Sequence, residues 1–487
     1  MSVKVVLKNT VFYAVANAFQ KGFSFLLLFV VALFLSPEEY GYLALIHVFS
    51  YFAQTIVTST VHGSILRFYV DLEGEERKRF IGSVLTFTLS FGLLLFLVVT
   101  LKGQALVSAL FPKSSFGFYP LYALSLGIVF FTIPQPMVNS IFRIKEKPRY
   151  IVTLVIVNSL ANATFISLFL ILLRQGLEGL LRGQLLAAIL IFCFYFYLIR
   201  NEYLLKFDWR LLKPALIFSF PLMPYLFLEF LRGRAGIYIL EKSVEAGQIG
   251  IYYFGANLGF AMSAIVSTFA AAYSPRMFIL LKEKPLETAK EEFKKIFLYI
   301  YLLMLIGFVG LSLFSEEIIY LFFRQKYTDS YVLIPIIALS CFLGGVYLFF
   351  HNSFYWTKKT FYVSLCALIM TTTTVVSQFL LIPKISIMGA AIGLLVGAIA
   401  GLASGYIWGQ KVFRMNYEFK KLLLISASAV TGVFGIAYLL PQGLFLWKIA
   451  GKLFLVFFIF WMALGITRID FKTLLTQYRT LLRPSSF

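Results

Sequence analysis

Residues Leu228–Leu240 read LEFLRGRAGIYIL and set Glu229, Arg232 and Arg234 inside a run that is otherwise apolar. An arginine near the centre of a membrane helix is unfavourable by roughly 2.5 to 3.5 kcal/mol on insertion scales, so it faces a protein interior or a water-filled cavity and takes a partner. Pro221 and Pro224 come just before these charges. Each removes a backbone donor and bends a helix, a pattern of the discontinuous helices of transporters. The stretch predicts a membrane-spanning helix that lines a transport pathway.

Working outward, the composition supports a membrane setting. Of 487 residues, 60% are hydrophobic, 18% aromatic and 13% charged, and the mean hydropathy is +0.87. Apolar runs of about 20 residues recur from end to end, which predicts an all-α polytopic membrane protein and excludes a barrel of alternating ten-residue strands. By length they give about fourteen transmembrane helices, at residues 10–35, 40–66, 80–101, 119–141, 150–173, 180–199, 214–240, 247–275, 296–314, 331–355, 361–382, 387–409, 420–440 and 446–467. The longest stretches without such a run, Arg276–Lys295 and Arg468–Phe487, are the size of a loop and a tail.

The net charge of +21 is a topology signal rather than a nucleic-acid footprint. With the amino terminus in the cytoplasm, the basic clusters Lys4 and Lys8, Arg77–Arg79, Arg143–Arg149, Arg200–Lys213, Arg276–Lys295, Lys358 and Lys359, Lys411–Lys421 and the tail from Arg468 all fall on the inner side. The positive-inside rule then places both termini in the cytoplasm, in a multi-pass protein of the cytoplasmic (inner) membrane. Ala105–Phe118 and Ser315–Asp329 fall outside, too short to span, and read as interfacial amphipathic helices. Cys193, Cys341 and Cys366 sit singly in apolar runs, so neither a disulfide framework nor a metal site is expected.

The chain also repeats itself. Setting Gly41 on Gly250 sets Ile56 on Ile265, Val57 on Val266, Thr58 on Ser267 and Arg67 on Arg276 without a gap. An even number of spans separates the halves, so they are parallel repeats: a lobe at 1–205 (spans 1–6), a lobe at 206–415 (spans 7–12), and two additional spans with the tail at 416–487. Each lobe opens on a span with a polar stripe at helical spacing: Tyr13, Asn17 and Gln20 with adjoining Lys21, and Tyr225, Glu229 and Arg232. The architecture would set these stripes across a central cavity. Arg67 and Arg276 close the inner ends of their spans, where arginine anchors a helix at the interface or meets an incoming anion. His47, His62 and His351 read either as proton-relay groups or as helix-packing hydrogen-bond donors.

The turn SPEEYGYLAL at Ser36–Leu45, its counterpart EAGQIGIYYFGANL at Glu245–Leu258, and GSILRFYVD at Gly63–Asp71 resemble the prokaryotic polysaccharide flippases (Wzx-like) of the multidrug, oligosaccharidyl-lipid and polysaccharide exporter superfamily. The resemblance implies two six-helix lobes, no enzymatic activity, and movement of an isoprenyl-diphosphate-linked glycan from the inner to the outer leaflet by alternating access. Other polysaccharide assembly proteins are the further partners it implies. Many members carry an Asp-Arg pair in the seventh span; here the match is Gly233-Arg234, without the acidic residue.

A diphosphate needs charge-assisted donors to cross hydrocarbon, and arginine supplies them in a fixed fork. Lys21, Arg232 and Arg234 are the mid-membrane candidates, with Arg67 and Arg276 as capture groups at the cytoplasmic mouth. No GxxxxGK[ST] loop is present, so ATP hydrolysis is not expected and no cofactor is implied. The membrane potential favours outward movement of an anion by about 2.3 kcal/mol per charge per 100 mV. Glu229 is the candidate for binding a coupling proton or sodium ion. Two rival substrates are lipid II, and organic cations exchanged by a multidrug antiporter.

Overall fold

Prolines and caps decide where the helices start. Asp208 caps a helix by accepting from the Arg210 backbone N–H at 2.9 Å, and Pro148 and Pro136 sit in first turns, where a missing donor costs nothing. Ser36 and Glu39 form a reciprocal capping box: the Glu39 N–H donates to Ser36 Oγ at 3.1 Å and the Ser36 N–H to Glu39 Oε2 at 2.8 Å. A computed structural model describes residues 3–59, 62–113, 117–323, 326–439 and 446–467. Every regular element among them is helical.

Internal contacts divide the chain into two units, Met1–Gly250 and Ile251–Phe487. The first unit holds α1 (Val3–Phe34), α2 (Pro37–Ser59), α3 (His62–Asp71), α4 (Gly74–Leu110), α5 (Leu121–Thr132), α6 (Gln135–Ile144), α7 (Pro148–Ile166), α8 (Gly176–Ile199), α9 (Trp209–Ser219), α10 (Met223–Ser243) and the start of α11 (Ala246–Glu283). The second continues α11 and adds α12 (Leu286–Leu313), α13 (Ser315–Phe323), α14 (Leu333–Trp356), α15 (Phe361–Val412), α16 (Phe419–Leu439) and α17 (Leu446–Thr467).

Among the described residues, nine helical segments are long and apolar enough to cross a membrane, and ten if the pair α9 and α10, bent by 51°, is taken as one span. The bend falls where Pro221 and Pro224 replace a helical turn by a 3₁₀ turn over Phe220–Leu222. Helix α15 counts once in the nine, yet its 52 residues leave helical geometry at Ile385 and Ser386. A straight helix of that size would run about 78 Å, against about 30 Å of hydrocarbon. It is a hairpin of two crossings, with Gly393 against Gln378 and Gly397 against Thr374. Small residues let the two backbones approach without the hydrophobic drive that lipid does not supply.

In the first unit a core around Tyr69, Phe80, Val138, Ile141 and Leu212 is buried by α3, α4, α6 and α9. Helix α10 packs on α2. At the start of α2, a Cβ on Gly41 would stand 1.9 Å from the Ala246 carbonyl oxygen, and one on Gly250 would stand 1.8 Å from the Pro37 carbonyl oxygen. The two contacts exchange under the offset of 209 that aligned the repeats. Only glycine at both positions permits this approach of backbones. The second unit is built around Tyr273, Phe293, Phe297, Phe308, Phe342 and Phe349, with Phe349 edge to face against Phe293 and Phe297.

One stretch departs from the sequence reading. Residues 105–110 continue α4, a 37-residue helix, instead of forming a separate interfacial segment. Helix α13 buries Glu316 and Glu317 in protein and leaves Leu321 and Phe322 exposed.

Candidate functional site

The charges of LEFLRGRAGIYIL lie on α10, whose proline-bearing first turn starts it afresh after the bend. Glu229 and Arg232 are one helical turn apart and form an ion pair. Their side chains are 35% and 37% exposed, open enough for a ligand to reach. The pair engages Arg232 through Nη2, and its Nε is buried without a hydrogen-bond partner.

Arg234, two residues on, points about 200° away from Arg232 around the helix. Its guanidinium carbon lies 4.7 Å from the centre of the Tyr51 ring on α2, a cation–π geometry. Phe52 and Phe230, with ring centres 5.6 Å apart, join the same two helices. His47, one turn before Tyr51, lies within electrostatic reach of Arg234. The two arginines are therefore held by different means, one by a carboxylate on its own helix and the other by an aromatic face on a neighbour. Tyr51 was not predicted; a tyrosine in an apolar run carries no signal until its helix neighbour is known.

The other predicted groups are spread over several elements. Tyr225 is exposed on α10, at the start of the same stripe as Glu229 and Arg232. Gln20 and Lys21 are exposed on α1, which packs on α7. Arg67 pairs with Asp71 at 2.6 Å, one turn along α3, with both side chains about half exposed. The side chains of Tyr13, Asn17 and Arg276 lie outside the described residues.

A second charge cluster lies in the other unit. Lys448 and Lys452, one turn apart on α17, meet Glu316 and Glu317 in the first turn of α13. Lys448 Nζ is 2.6 Å from Glu316 Oε2, and Lys452 Nζ is 2.6 and 2.8 Å from the two Glu317 oxygens and 3.5 Å from Glu316 Oε2. All four side chains are at least 92% buried. Two lysines one turn apart in an apolar span were a readable signal, since neither stays charged in hydrocarbon without a carboxylate.

A cavity of about 680 Å³ opens in the first unit between the start of α2 and the end of α10, lined by Glu38, Tyr42, Lys113, Glu241 and Glu245. The buried Glu241 accepts from the Lys113 backbone N–H at 2.7 Å. Three carboxylates against one lysine make this cavity repel a diphosphate.

Bent and broken spans with charge at mid-helix define a polytopic membrane protein with a transporter's fold. The family model described as "Polysaccharide biosynthesis protein" matches residues 6–281, more than half of the chain, and the chain belongs to that family. Its fold is similar to that of the lipid II flippase MurJ in an inward closed conformation, with a TM-score of 0.73 at 16% identity over 99% of this chain and 100% of that one. It is also similar to a multidrug resistance MATE family transporter of the MOP superfamily. The inward-facing form gives a TM-score of 0.61 at 17% identity over 84% of this chain and 98% of that one. The outward-facing form gives 0.56 at 17% identity, over 83% and 95%. No curated protein sequence matches.

Proposed function

We propose that this chain is a flippase that carries an isoprenyl-diphosphate-linked oligosaccharide from the cytoplasmic to the outer leaflet of the inner membrane by alternating access, with both termini in the cytoplasm and the repeat lobes 1–205 and 206–415 as its two halves. One observation carries the reading: Arg232 and Arg234 lie in the middle of α10, the second limb of a bent membrane-length pair, and both side chains are only partly buried. Exposure to lipid would be costly for either, so the space beside α10 is a water-filled, cationic cavity. Its natural ligand is an anion that must cross hydrocarbon, and membership of a polysaccharide biosynthesis family makes a lipid-linked glycan the fitting one.

Lys21 adds a cation on α1, and Arg67 and Arg276 are proposed to draw the diphosphate toward the cytoplasmic mouth. Tyr13, Asn17, Gln20 and Tyr225 supply hydrogen bonds and stacking faces for the sugar. The membrane potential drives the anion outward, and Glu229 is the group through which a proton or sodium gradient would act, by competing with Arg232 for the carboxylate. The proposed role is transport, not catalysis, and other polysaccharide assembly proteins supply and consume the carried lipid.

The match to MurJ over almost the whole chain favours a second reading, in which the cargo is lipid II. Cells lacking the protein distinguish the two. The first reading expects accumulation of a lipid-linked polysaccharide intermediate, relieved by the wild-type chain and not by Arg232→Gln. Accumulation of lipid II instead selects the second, and full relief by Arg232→Gln removes Arg232 from the site under either.

A further inference from the structure

We propose that Tyr51 is a positioning residue of the anion site, a shelf that holds the Arg234 guanidinium flat so that its N–H donors project sideways toward the ligand. This rests on the reading that Arg234 binds the diphosphate. Arg232 is tethered edge-on, because Nη2 is spent on Glu229. The guanidinium carbon of Arg234 lies over the Tyr51 ring, 4.7 Å from its centre. A guanidinium presents all five donors in its plane, so face-on support leaves them free where edge-on pairing occupies some.

The shelf itself is built to be accessible and fixed. Tyr51 is 50% exposed in the middle of α2, outside the packed core. The Phe52–Phe230 contact adjoins it on both helices and keeps α2 and α10 in register. A lysine at 234 would keep the charge but lose the planar stacking and the fork. The arrangement selects a ligand with several anionic oxygens around the guanidinium edge, as a diphosphate has, over one carrying a single charge.

The test uses the full-length protein in lipid nanodiscs, with farnesyl diphosphate as the probe and farnesyl monophosphate as its single-phosphate counterpart. Tyr51→Leu is expected to weaken farnesyl diphosphate binding roughly 3- to 30-fold, the range for losing a cation–π contact. Tyr51→Phe recovers it to within about twofold, because the ring and not the hydroxyl does the holding. In an Arg234→Gln background, Tyr51→Leu then has no further effect, a result that a merely structural tyrosine would not give. Wild-type preference for the diphosphate over the monophosphate falls in Tyr51→Leu.

If Arg234→Gln abolishes binding while Tyr51→Leu binds like the wild type, the shelf is wrong and the anion site stands. If Arg234→Gln binds the probe normally, the anion-site reading is wrong and takes the shelf with it. A Tyr51→Leu effect of equal size in the Arg234→Gln background also overturns the shelf. Thermal unfolding of each variant in the same nanodiscs separates loss of binding from loss of fold.

Discussion

Two groups of charge on the described helices are built on opposite principles. On α10, Glu229 pairs with Arg232 while Arg234 lies on the far side of the helix over Tyr51, a net charge of +1 for the three, and the Glu229 and Arg232 side chains are more than a third exposed. Between α13 and α17, two carboxylates face two lysines, and nothing of the quartet is more than 8% exposed. A closed, neutral cluster has no unmet demand and holds helices together. On the proposed function, the open cluster with its surplus charge is the one that meets an anion. Charge in a membrane protein is thus diagnostic of function when it is unbalanced and reachable.

The largest effect is expected at the closed cluster. Removing one member of a buried ion pair leaves an uncompensated charge, at a cost of about 3 to 5 kcal/mol. Lys452→Met should therefore destabilise the protein strongly, read as a fall in thermal unfolding temperature in detergent. Replacing Glu316, Glu317, Lys448 and Lys452 together by apolar residues of similar volume should restore much of the loss, because an apolar core substitutes for a balanced cluster. If the fourfold variant transports normally, the quartet is structural. If it folds and does not transport, the comparison fails at its first step.

Next in size is the effect on transport at α10. Charge-assisted hydrogen bonds are worth about 1.5 to 3 kcal/mol, so Arg234→Gln should slow flipping in proteoliposomes about 10- to 100-fold. Arg232→Gln should behave similarly. The stability of both should change by about 1 kcal/mol or less, since a pair this exposed is screened by water. Glu229→Gln sharpens the contrast further. It should abolish the response of flipping to an imposed proton or sodium gradient while leaving the cations in place. A retained response rules Glu229 out as the coupling group.

How much of this was readable beforehand follows from what sequence encodes. Hydropathy marks spans because each must be apolar over its length, and the break at Ile385–Ser386 fell between two predicted runs. Charge at Glu229, Arg232 and Arg234 stood out for the same reason. Proline located the bend at Phe220–Leu222 because its missing donor is a local fact. Partnerships across helices were not legible. That Tyr51 lies under Arg234, or Glu316 against Lys448, depends on which helices pack, and separations of 183 and 132 residues leave no periodic trace. On α13 the apolar residues were legible, but the partners of Glu316 and Glu317 are not until α17 is known to cover them.

The smallest expected effect tests an intermediate case. Arg67 is neither closed off nor free, since it pairs with Asp71 at 2.6 Å with both side chains about half exposed. Such a pair contributes about 0.5 kcal/mol or less, so Arg67→Gln should leave stability unchanged within error. As a capture group it would act at a distance, on the concentration of anion at the mouth, and so on KM rather than kcat. Arg67→Gln should then raise KM about twofold at low salt, and Asp71→Asn, which releases the guanidinium, should lower it. At 1 M salt, where the screening length falls to about 3 Å, both differences should vanish. Opposite shifts that disappear with salt would place Arg67 with the open charges of α10. No shift in either variant would make it an interfacial anchor whose charge, like that of the quartet, is already spent.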